Sequence, residues 1–152
     1  MTTSSAPNLL TPERRRTLQA VVGRILPGTD GPGAAQTAVA VAFERAMLHR
    51  SLRGLRVGIE QVLDRLRAQA AQLYANEFSA CPAAEQDELL RGLERDPNPW
   101  TRFLFRCVIG LSLEGLLCDP VHGGNRGFRG WQAIGLRPVD VRSGLCRGPR
   151  ER

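Results

Sequence analysis

Apolar residues in this chain recur at helical spacing, and no run of β-branched residues alternates with polar ones. Leu18, Val21, Val22, Ile25 and Leu26 form one such stripe; Phe103, Leu104, Cys107, Val108, Leu111 and Leu116 form another. This periodicity predicts an all-α fold, a single-domain bundle of about five helices with an irregular glycine-rich C-terminal segment. At 152 residues and 42% hydrophobic content the chain can bury a core without metals or disulfides. Arg, Glu or Gln interrupts every apolar run before the roughly 20 residues needed to cross a bilayer, so no membrane span is expected.

Turn and cap residues divide the pattern. Residues 1–10 are polar and without periodicity, the signature of a flexible lead; 11–136 form the helical domain; 137–152 are an arginine-rich tail. Thr11 as N-cap, Pro12 at the first helical position and Glu13 in the first turn open a helix that Pro27 closes. The Gly- and Pro-rich stretch 28–33 is a loop. A second helix over about 34–49 is expected to bury Val39, Ala42, Phe43, Ala46 and Met47, with His49 in a structural role near its C-terminus. A third carries Leu52, Leu55, Ile59, Val62, Leu63, Leu66 and Leu73. Its Gly54 and Gly58, one turn apart, predict close approach of a neighbouring backbone. Pro82 starts a fourth helix with Leu89, Leu90 and Leu93 facing inward, and Asp96-Pro97-Asn98-Pro99 ends it. The fifth, from near Trp100, is the expected central element.

The net charge of +6 is concentrated at one end. Residues 126–152 hold seven Arg against Asp140 and Glu151, whereas the preceding residues are close to neutral. A basic tail on a near-neutral body weakens a nucleic-acid reading made from charge alone. All 21 basic residues are Arg. Arg14-Arg15-Arg16 imitates a twin-arginine export signal, but Arg24 breaks the apolar region that should follow, and helical spacing makes an amphipathic first helix the better account. Cys81, Cys107, Cys118 and Cys146 lack zinc-ligand spacing. Cys107 reads as a small buried hydrophobe, and Cys118 and Cys146 are candidates to pair in an oxidising compartment.

The segment from Cys118 to Gly135 contains five glycines in eighteen residues. An ordered loop of this composition requires positive φ angles or close backbone contacts. Phe128 and Trp131 are placed to anchor it, and Asp119 to accept hydrogen bonds from exposed N–H groups. Glu114, a helical turn before Cys118, is placed to pair with Arg126 or to cap the loop. Rossmann and P-loop glycines follow a strand and open a helix, whereas Gly123-Gly124-Asn125-Arg126-Gly127 follows a helix and has no P-loop Lys. A base–orienter pair of His122 and Asp119 lacks a nucleophile or metal set, and His122 reads as turn-stabilising. The expectation is therefore no catalytic, cofactor-binding or metal-ligating residue in this chain.

The chain resembles the small third subunit of gluconate 2-dehydrogenase and related membrane-associated sugar dehydrogenases. The resemblance rests on Leu10-Thr11-Pro12-Glu13, on Ile25-Leu26-Pro27, and on the path from Leu113-Glu114-Gly115 through Asp119-Pro120, Gly123-Gly124-Asn125 and Gly130-Trp131 to Ile134-Gly135. It covers roughly residues 9–136. It implies a non-catalytic accessory subunit that supports folding, stability or export of a large flavoprotein of the glucose-methanol-choline type. FAD is then expected in the partner, in some complexes beside a cytochrome c subunit. Many relatives carry a twin-arginine signal, which this sequence does not show, so export is expected to be absent or supplied by a partner or by a segment outside this sequence. The residues implied for partner binding or loop structure are Glu114, Asp119, Pro120, His122, Gly123, Gly124, Asn125, Arg126, Phe128 and Trp131. The alternative from another class is a basic helical module that binds nucleic acid through the tail.

Overall fold

The computed structural model describes residues 9–28 and 33–136. Among these residues the chain forms seven α-helices and no strand: α1 Pro12–Ile25, α2 Ala34–Thr37, α3 Val39–Ala46, α4 Arg53–Tyr74, α5 Ala83–Glu94, α6 Pro99–Leu117 and α7 Arg129–Ala133. Short 3-10 turns occupy Arg50–Leu52, Phe78–Ala80, Pro120–His122 and Arg126–Phe128. The all-α fold follows the periodicity; the count of five does not. One expected helix is divided at Ala38, whose left-handed φ of 56° interrupts the ladder and separates α2 from α3. The short α7 lies inside the segment expected to be irregular.

Local signals explain most boundaries. The Thr11 hydroxyl accepts from the Arg14 N–H at 3.3 Å, and Pro12 gives up no donor that a helix needs. The Asn98 side chain accepts from the Trp100 N–H at 2.9 Å and caps α6, which starts at Pro99. Before it, the buried Asp96 accepts from the Asn98 N–H at 2.8 Å and is paired with Arg65 of α4, which fixes the turn from α5 into α6. Helix α3 ends at Ala46, earlier than the sequence indicates. His49 lies beyond it and caps the next turn, its Nδ1 accepting from the Ser51 N–H at 3.4 Å.

Helix α6 packs against α1, α3, α4, α5 and α7 and is the central element. The core is closed by Leu18, Phe43, Met47, Ile59, Leu63, Leu66, Phe78 and Leu93, each under 2% exposed. Burying a side chain of this size contributes about 1.5–3 kcal/mol. Three inward assignments change. Phe105, not Phe103, lies in the core; Cys107 is only half-buried; Leu73 projects from the end of α4. Helix α6 is apolar on nearly every side, so periodicity alone cannot say which arc faces inward. The paired glycines of α4 also differ from expectation. A Cβ on Gly54 meets nothing within 4 Å, whereas one on Gly58 would lie 2.7 Å from Leu104 Cδ2, so the close approach is by a side chain of α6 and occurs at one glycine.

The arginine triplet of α1 ties that helix to its neighbours. Arg14 donates to Glu60 at 2.7 Å and to Asp64 at 2.5 Å, both on α4. Arg15 bonds Glu44 of α3 at 2.7 Å. Arg16 reaches Glu77 at 3.5 Å, and Arg24 bonds Asp87 of α5 through both carboxylate oxygens. The Arg14 and Arg24 guanidiniums hold the Asp64 and Asp87 carboxyls below their usual range by hydrogen bonding.

Candidate partner-binding site

An α-helix leaves its last four carbonyls without intrahelical donors. In α6 the N–H of Cys118 closes onto the Glu114 carbonyl at 2.7 Å, leaving Gly115, Leu116, Leu117 and Cys118 itself. The glycine-rich segment folds back over this end and supplies three donors. The Asn125 N–H reaches Gly115 O at 3.1 Å, the Asn125 Nδ2 reaches Cys118 O at 2.9 Å, and the Trp131 indole N–H reaches Leu117 O at 2.6 Å. At Leu116 the fit is by contact, since a Cβ on Gly130 would lie 2.0 Å from its carbonyl oxygen. The loop is thus the C-terminal cap of the central helix.

Asn125 is the hinge-pin of this cap. It is fully buried, adopts a left-handed φ of 46°, and its Oδ1 accepts the Gly130 N–H at 2.8 Å. Asn tolerates this backbone region better than most residues. The neighbouring Gly124 is required by space, because a Cβ there would lie 2.1 Å from Gly115 O. Gly123 adopts a φ of 98° and ends the turn that Asp119 begins. That carboxylate accepts from the Val121 N–H at 2.9 Å, with Pro120 opening the turn. Phe128, at a φ of 58°, packs on Trp131 with ring centroids 5.3 Å apart. Both rings are half-buried.

The remaining named residues lie outside the cap. Glu114, His122 and Arg126 are exposed, and among the described residues no ion pair joins Glu114 to Arg126. Glu114 and His122 line a groove of about 580 Å³ between α3, the turn after it, α6 and the loop. His49, Arg45 and Leu52, which no sequence signal connects with this place, line it too, so both histidines of the chain open onto one groove. The link is made by α3 packing on α6 at Gly115, where a Cβ would lie 3.1 Å from the Val39 carbonyl oxygen. Only tertiary structure carries it. Cys118 also faces the groove; burial raises its thiol pKa, and hydrogen bonding from Gly124 partly offsets this. Among the described residues no three His, Cys, Asp or Glu side chains are grouped to hold a metal, and no helix is long and apolar enough to cross a membrane. Cys146 and the arginine-rich tail 137–152 lie outside the described residues, as does the proposed lead up to residue 8.

The model of the family described as gluconate 2-dehydrogenase subunit 3 matches residues 12–138, most of the chain and all of the cap. The chain belongs to this family. Its family name makes it a subunit of a dehydrogenase complex, and the match runs from the first residue of α1 to just beyond α7. No curated protein and no solved structure matches the chain. As a gluconate 2-dehydrogenase subunit 3 protein, it uses the motif residues from Gly115 to Trp131 first to close its own central helix.

Proposed function

We propose that this chain is a non-catalytic accessory subunit that binds and stabilises a large FAD-dependent dehydrogenase of the glucose-methanol-choline type, assisting its maturation or export. The observation that carries the reading is the family match over residues 12–138. The loop geometry supports it. The N–H groups of Asn125 and Gly130 are turned inward onto the chain's own acceptors, an arrangement that shapes a surface rather than cradling a phosphate. On this reading FAD resides in the partner, a cytochrome c subunit accompanies it in some complexes, and the outer side of the loop contributes to docking.

Co-expression with a flavoprotein of this type tests the proposal. The two chains co-elute from size exclusion as one complex. Separate elution, at concentrations where both are folded, overturns it.

A further inference from the structure

The unused feature of the fold is the outward arc of its central helix. Trp100, Phe103, Leu113 and Leu117 are 50%, 43%, 44% and 37% exposed, although they belong to the most enclosed element of the bundle. Successive positions 100, 103, 107, 110, 113 and 117 return to one side of a 3.6-residue helix and run about 25 Å along it. At the N-terminal end Trp100 stacks on Phe103, with ring centroids 5.2 Å apart and planes 23° from parallel. At the other end Leu117 carries the Trp131 indole on its carbonyl, so the Phe128–Trp131 pair continues the surface. Midway, Gly110 is exposed and a Cβ there would meet open space. A helix apolar on every side is normally covered on every side, and exposed, pre-stacked aromatics are characteristic of interface anchors.

The charges around this arc indicate what covers it. Arg106 lies within the arc, and Arg126 and Arg129 flank its loop end; among the described residues none of the three makes an ion pair. Arg14, Arg15, Arg24 and Arg65, by contrast, are all paired with acids. Glu114 is the acid of the arc. A second copy of this chain would set one basic rim against another across a two-fold axis, which disfavours it. We infer that the Trp100–Leu117 face of α6 is the docking surface for a different chain, one that presents an apolar ridge bordered by acidic side chains. Resting on the accessory-subunit reading, that partner is the dehydrogenase large subunit, and the glycine-rich cap holds the C-terminal end of α6 in place beneath it.

The test is co-purification of the co-expressed flavoprotein with tagged forms of the full chain. The double variant Trp100→Ser, Phe103→Ser weakens binding by at least about tenfold. Arg106→Glu weakens it severalfold, and more at low salt than at high. Val57→Ser and Leu73→Ser, on even more exposed apolar positions of α4, leave it unchanged. Circular dichroism and thermal unfolding establish that each variant is folded, and Arg106→Glu serves if the aromatic pair proves necessary for folding. If wild type binds and both the aromatic and the charge-reversal variants bind equally well, the docking face is wrong while the accessory role stands. If wild type itself fails to bind, the accessory reading falls and this inference with it. If the isolated chain is a dimer that the aromatic variant dissociates, the face belongs to a second copy and the inference is overturned.

Discussion

The side-chain oxygen of Asn125 accepts the buried backbone N–H of Gly130 at 2.8 Å, while its amide nitrogen donates to the last turn of α6. One side chain therefore joins the end of the central helix to the start of α7. Removing it leaves the Gly130 N–H and the Cys118 carbonyl without their partners. Asn125→Ala is expected to cost about 2–4 kcal/mol in urea unfolding. Trp131→Ala loses the bond to Leu117 and the packing on Phe128, and should cost a comparable amount. His122→Ala, at an exposed position, should stay within about 0.5 kcal/mol of wild type. Equal effects for Asn125 and His122 would contradict the cap.

Space separates the loop glycines into two kinds. Gly124→Ala and Gly130→Ala place a Cβ about 2 Å from a backbone carbonyl oxygen, so the loop must leave α6. Gly127→Ala meets no atom within 4 Å and incurs only the strain of its φ of 67°, about 1–2 kcal/mol. Hydrogen exchange reads the difference: protection of the Asn125 and Gly130 amides falls sharply in the first two variants and persists in the third.

The two glycines of α4 should respond in opposite directions. Gly54 is exposed with open space around it, so Gly54→Ala should stabilise by about 0.5–1 kcal/mol. Gly58→Ala drives a Cβ against Leu104 in the core and should destabilise by about 1–3 kcal/mol. Thermal unfolding of the pair is sufficient to check both signs.

Acid should loosen α1 first. Asp64 and Asp87 have folded pKa values held below the unfolded ones by Arg14 and Arg24, so their contribution is complete above the unfolded carboxylate range, about pH 4, and is lost as pH falls through the folded values. Both pairs are partly solvated, which limits each to about 1 kcal/mol or less. Arg14→Gln and Arg24→Gln should lower stability at pH 7 and flatten its decline below pH 4. A pH titration of the urea midpoint that shows parallel curves for wild type and variants would contradict this assignment.

How much of this was legible in the sequence depended on whether the signal was local. Thr11-Pro12 and Asn98-Pro99 carry their caps within three residues, and both helices begin where those residues indicate. The glycines from 123 to 135 called for positive φ or close contact, and each meets one of those conditions or the other. What was hidden depended on distant partners. The left-handed Ala38 carries no compositional mark, and an apolar α6 does not announce whether Phe103 or Phe105 faces inward. The groove shared by His49 and His122 arises only when α3 crosses α6 at Gly115.

The proposed role makes a quantitative claim about another molecule: a folded accessory subunit raises the amount of its partner that reaches a flavin-loaded, soluble state. The direct measurement is the yield and flavin content of the large dehydrogenase subunit expressed with this chain, without it, and with the Asn125→Ala variant. High yield is expected with wild type, and a marked loss in both other cases. Equal soluble, flavin-loaded and active dehydrogenase in all three would contradict it.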